Sequence, residues 1–114
     1  MALTLDGTGT GSTIAKGIAA SSGSLVKSGT GTWTLGATNL YTGGTSINGG
    51  TLVLSAANAL GSSGTISFGG GTLQFSGAAS TTDYSARFST AASQQFNLNT
   101  NGESVTLEIR KSVV

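Results

Sequence analysis

Gly31-Thr32-Trp33-Thr34-Leu35, Gly50-Thr51-Leu52-Val53-Leu54, Gly64-Thr65-Ile66-Ser67-Phe68 and Gly71-Thr72-Leu73-Gln74-Phe75 are four copies of one phrase, Gly-Thr-apolar-x-apolar. In each copy the apolar residues are two apart, so on an extended strand they share a face. Trp33/Leu35, Leu52/Leu54, Ile66/Phe68 and Leu73/Phe75 are expected inside, and Thr34, Val53, Ser67 and Gln74 outside. The copies beginning at Gly31, Gly50 and Gly71 are spaced by 19 and 21 residues, with the Gly64 copy as an extra. A strand unit recurring at such an interval marks a solenoid, in which each coil buries its inner face only against neighbours.

Between the phrases stand bend signals: Gly43-Gly44, Asn48-Gly49-Gly50, Gly61 and Gly69-Gly70-Gly71. Glycine supplies the positive φ that sharp corners need, and Asn39, Asn48 and Asn58 are turn residues whose amides bond backbone groups. The best short helical candidates, Ile14 to Ala20 and Ser55 to Leu60, read as bends or strand pieces. Proline is absent, so every backbone N–H remains available to a ladder.

Composition supports a folded chain. There are 19 glycines, 17 serines and 18 threonines in 114 residues, as in a flexible linker, yet 37% of residues are hydrophobic. A linker has no reason to set Leu, Ile and Phe two apart within Thr-rich runs, whereas half-buried strands require it. The length suits one domain, 1–114.

A net charge of +1 leaves no electrostatic footprint for nucleic acid or an anionic membrane. No apolar run is long enough to cross a bilayer as a helix. Met1-Ala2-Leu3-Thr4-Leu5 has neither the basic start nor the apolar run of a secretory signal. Cysteine and histidine are both absent, which removes disulfides, thiol chemistry and the usual metal ligands. No cofactor or metal is expected.

Towards the C-terminus Tyr84, Ala86 and Phe88 alternate, followed by Phe96 and Leu98. Val105-Thr106-Leu107-Glu108-Ile109 is a clear alternating strand within the charged terminal segment 103–114. Charge on a terminal strand discourages edge-to-edge pairing.

Residues 23–77 resemble a known family, the autotransporter-associated β-strand repeat, or passenger-associated transport repeat. The resemblance rests on Gly23-Ser-Leu25-Val-Lys27-Ser-Gly29-Thr-Gly31-Thr-Trp33-Thr-Leu35 and Asn39-Leu-Tyr41-Thr-Gly43-Gly44-Thr45-Ser-Ile47-Asn-Gly49-Gly50-Thr51-Leu52. It continues through Ala59-Leu60-Gly61 to Gly69-Gly70-Gly71-Thr72-Leu73; residues 4–22 look like the end of a preceding unit. The resemblance implies a right-handed parallel β-helix from a secreted bacterial passenger or surface adhesin, a stalk rather than an enzyme.

Each candidate site also has a structural reading. Trp33 has a face for stacking on a sugar of a surface glycan, but it shares its side with Leu35 and reads as core. Tyr41 reads as a buried ring with an exposed hydroxyl, and Lys27 as a solvent-facing lysine. The only acids are Asp6, Asp83, Glu103 and Glu108. Glu103 and Glu108 are an odd number apart and face opposite sides of a strand, while Asp6 and Asp83 fall on different coils. A carbohydrate-active β-helix enzyme is thus disfavoured, with Asp83 its best remaining acid.

Asp6-Gly7-Thr8-Gly9-Thr10-Gly11 lacks the lysine of a P-loop and the repeated aspartate of a calcium roll, and reads as a turn. Thr8-x-Thr10 and Thr30-x-Thr32-x-Thr34 suggest an ice-binding array, but Val53, Ser67 and Gln74 interrupt it.

The expectation is an all-β solenoid of about five coils. Its function is that of a non-enzymatic surface module or, alternatively, of a fibre subunit stacking head to tail with its own kind. The donated strands would be those carrying Leu3 and Leu5, or Val105, Leu107 and Ile109.

Overall fold

The computed structural model describes residues 2–17, 22–61, 63–76, 84, 87–89 and 97–99. The alternating runs form two parallel sheets. The first contains β1 (Ala2–Leu5), β3 (Ser24–Lys27), β5 (Thr45–Ile47) and β7 (Ile66–Phe68), in that order. The second contains β2 (Ser12–Ile14), β4 (Thr32–Leu35), β6 (Thr51–Leu54), β8 (Thr72–Phe75) and β9 (Asn97–Asn99). Each turn contributes one strand to each sheet, so the chain is a parallel β-solenoid. Four turns are complete, and Phe88, bridged to Ile66, together with β9 begins a fifth.

Register carries the alternation from turn to turn. In the second sheet Trp33, Leu52, Leu73 and Leu98 lie in one inward column, and Ile14, Leu35, Leu54 and Phe75 in another. In the first sheet the inward columns are Leu3–Leu25–Thr45–Ile66 and Leu5–Lys27–Ile47–Phe68. Leu25, Leu35, Leu52, Leu54, Ile66 and Leu73 are fully buried, and with Phe68, Phe75, Tyr84 and Phe88 they belong to one core. A coil has no second layer of its own, so this dry column exists only where coils stack.

Three phrases, those at Gly31, Gly50 and Gly71, lie directly above one another as β4, β6 and β8. The fourth does not: the Gly64 copy supplies β7 and belongs to the opposite sheet. Its inward pair, Ile66 and Phe68, closes the same core from the other side. The phrase encodes a strand with one apolar face, and both sheets need that.

Side-chain placements otherwise follow the pattern, with exceptions. Trp33 is only half-buried at the edge of the core, and Val53, on the outer face between Thr34 and Gln74, keeps just 9% of its exposure. Of the weak helical candidates, in Ile14 to Ala20 Ile14 ends β2, a bend follows at Lys16, and residues 18–20 lie outside the described ones, while Ser55 to Leu60 is a bend and turn as expected. Asn58 takes a left-handed φ of 55° there. The corner stacks through the main chain, Asn39 N–H donating to Asn58 O at 3.2 Å, and the Asn39 side-chain amide donates to Ala59 O.

Candidate functional site

The two sheets meet at a glycine-rich corner, residues 28–31 of the second turn and 48–50 of the third. Lys27 points into it. Far from facing solvent, this lysine is fully buried, in a column between Leu5 and Ile47. Its Nζ donates to Ser28 O at 2.6 Å and to Gly49 O at 3.2 Å, tying two successive turns. Main-chain carbonyls thus satisfy a charge that apolar neighbours cannot. Burial lowers the Lys27 pKa from its ordinary 10.5, and the nearby Asp6 partly counters that shift.

A second cation sits against the other corner. Arg87 reaches back to the corner ahead of β7, where its guanidinium donates to the carbonyl oxygens of Leu60, Gly61, Ser63 and Gly64. It also lies 5.8 Å from the centroid of the buried Tyr84 ring. Burial lowers its pKa, with Tyr41 and Tyr84 acting in the opposite direction. Phe88 packs edge-to-face on Phe68, centroids 5.0 Å apart, and Tyr84 lies 6.3 Å from Phe75.

Tyr41 is buried as expected, but its hydroxyl is buried too, 2.6 Å from Thr45 Oγ1. Desolvation pushes its pKa up from 10.0 to about 12, with a contribution of the same sign from Tyr84, against smaller opposing effects of the Thr45 hydrogen bond and Arg87. The folded chain therefore holds the Tyr41 proton above pH 10, where the unfolded chain releases it. Stability falls between roughly pH 10 and 12, by an amount on the order of 2–3 kcal/mol. Lys27 has the opposite sign: its lowered folded pKa adds stability as pH rises, and that gain is complete by its unfolded value of about 10.5. Chemical denaturation from pH 8 to 12 should show a loss above pH 10 that Tyr41→Phe largely removes. An identical alkaline slope in the variant would assign the loss to another group.

The other candidates disperse. Trp33 uses its Nε1 to donate to Asp6 O at 3.1 Å, so its polar edge is engaged within the first corner. The Asp6-Gly7 segment is a bend in which Asp6 Oδ1 accepts from Gly7 N–H at 2.7 Å. Asp6 is the one acid among the described residues; Asp83, Glu103 and Glu108 lie outside them. No cluster of three or more potential metal-ligating side chains occurs among the described residues. Thr34 stands above Val53 and Gln74, so that threonine column is broken, while Thr32, Thr51 and Thr72 form an unbroken one.

The strand carrying Leu3 and Leu5 is β1, the outermost strand of its sheet, with Leu3 45% exposed and Leu5 buried. Val105, Leu107 and Ile109 lie outside the described residues.

What the chain holds in place is backbone geometry: two stacked corners, one secured by the buried Lys27 and the other by the half-buried Arg87. Sequence reading missed both cations. Lys27 alternates in step with Leu25, a signal that it points inward, whereas the partners of Arg87 are more than 20 residues away and carry no mark.

A family model described as Passenger-associated-transport-repeat matches residues 25–59, a span running from β3 through β6 to the corner at Ala59. No curated protein and no solved structure matched the chain. The match to the passenger-associated transport repeat thus falls on the second and third turns of this parallel β-solenoid.

Proposed function

We propose that the chain is a structural, non-enzymatic β-helix module of a secreted or cell-surface passenger of the adhesin type. The carrying observation is that the passenger repeat, residues 25–59, coincides with turns whose parallel ladders run in register into the turns on either side. Such a module works as a rigid spacer: each coil extends the stalk by one strand spacing, about 4.8 Å, and templates the next. The outward side chains of its strands from β4 to β8, such as Thr34, Ser46, Ser67 and Gln74, are uncharged and form the face available to surface glycans.

The test places the chain between an export signal and an outer-membrane translocator. Cells should display it at the surface in a protease-resistant form. Retention inside the envelope, or display in a readily digested form, would overturn the reading.

One feature favours a second reading, a filament subunit. Among the described residues β1 has no strand on its outer edge, and the half-exposed Leu3 lies in line with the inward column that runs to Ile66. An open parallel edge accepts another strand, and a head-to-tail contact of this kind propagates without closing. Negative-stain microscopy with sizing chromatography should then reveal fibres that disappear when residues 105–114 are deleted. A single monomer peak without fibres would remove this reading and leave the first untouched.

A further inference from the structure

The carbonyls of Leu60, Gly61, Ser63 and Gly64 all accept from one guanidinium, that of Arg87. Gly64 O accepts from Arg87 Nε at 2.8 Å, and Gly61 O from Nη1 at 2.9 Å. Leu60 O and Ser63 O accept from Nη2 at 2.8 and 2.5 Å. Gly61 and Gly64 have φ of 69° and 93°, conformations that side-chain-bearing residues adopt only under strain. Those two residues turn the peptide planes so that four carbonyls converge on one point. A planar guanidinium, with five donors in a fixed fork, matches such a ring; an ammonium, with three donors on one atom, does not.

The chain needs a device of this kind where its fifth turn begins. A one-residue slip of a strand reverses its faces and is strongly penalised, but a two-residue slip keeps the same face inward. In a solenoid of near-identical coils, alternation alone is therefore a weak guide to register. A two-residue slip moves a side chain about 6.6 Å along the strand, and this would carry the Arg87 guanidinium off all four carbonyls. Arg87 directly precedes Phe88, the residue bridged to Ile66, and Ser89 N–H donates to Ile66 O at 2.8 Å.

The geometry points to the carbonyls of Leu60, Gly61, Ser63 and Gly64 being a preformed guanidinium receptor, whose occupation by Arg87 sets the register in which Phe88 and Ser89 dock on β7.

The chain has no cysteine, so disulfide trapping can read register directly. Ser67 follows Ile66 in β7 and Ser89 follows its bridge partner Phe88, and a Ser67→Cys/Ser89→Cys variant should oxidise readily to one intramolecular disulfide. Adding Arg87→Leu should slow that reaction by about tenfold, reflecting the loss of charge-assisted bonds. Cross-linking should then appear in the slipped pair Ser67→Cys/Ala91→Cys. Millimolar methylguanidinium should restore the first pair, whereas Arg87→Lys should not.

Unchanged trapping in the Arg87→Leu background would overturn the proposal, as would full rescue by lysine or failure of methylguanidinium to rescue. Amide exchange at Thr51–Leu54, in the third turn, supplies the second readout. Loss of protection there would mean that Arg87 supports the whole stack rather than one register, and would equally overturn the proposal.

Discussion

Phe68→Asp should leave the chain largely unfolded at neutral pH, while Ser67→Asp, one residue away, should change stability by less than about 1 kcal/mol. Phe68 is 1% exposed, at the end of the Leu5–Lys27–Ile47 column and against the Phe88 ring. Removing such an aromatic side chain costs about 3–5 kcal/mol, and the carboxylate would add the penalty of an unpaired buried charge. Domains of this size hold only about 5–15 kcal/mol in total. Ser67 faces outward and loses only a 3.2 Å hydroxyl contact with Ser46. Circular dichroism with urea titration of the two variants checks the contrast. Similar losses in both would mean that β7 has no distinct inner and outer face.

Gly50→Val is the second large effect, and its cause is backbone geometry rather than burial. Gly50 sits at φ 61°, where a β-branched residue is strained. A Cβ there would overlap Gly31 O and stand 2.7 Å from Lys27 Nζ and 2.8 Å from Gly29 O. The backbone cannot retreat without breaking Thr51 N–H to Gly31 O, 3.0 Å, or Thr72 N–H to Gly50 O, 2.9 Å. Strain and overpacking together should cost about 2–6 kcal/mol. Gly11→Ala is the control: nothing lies within 4 Å of its added Cβ, and Gly11 has no positive φ. That variant should be neutral or gain up to about 1 kcal/mol from a stiffer unfolded chain. Equal destabilisation by both substitutions would show that the corner is not close-packed.

The contrast between these glycines also indicates what the sequence could disclose. Strand alternation is local, so the inward residues of β4, β6 and β8 were readable from three copies of a five-residue phrase. The sheet to which a strand belongs is not local: Gly64 to Phe68 carries the same phrase, yet joins β5 rather than β6. Corner partners are more remote still. Lys27 is tolerated in the core because Gly49 O, 22 residues later, comes within reach of its ammonium. The Tyr41 hydroxyl was expected in solvent but is covered, with Thr45 as its partner. Charge type is a poor guide to exposure wherever a stacked backbone offers unshared carbonyls.

The most direct test of the parallel stack is a set of inter-strand NMR contacts along the outer column of the second sheet. Backbone contacts should join Thr34 to Val53 and Val53 to Gln74, partners about 20 residues apart that lie level in adjacent strands. Close Hα–Hα contacts pairing consecutive strands, such as Thr45–Ile47 against Thr51–Leu54, would instead require antiparallel hairpins and contradict the solenoid.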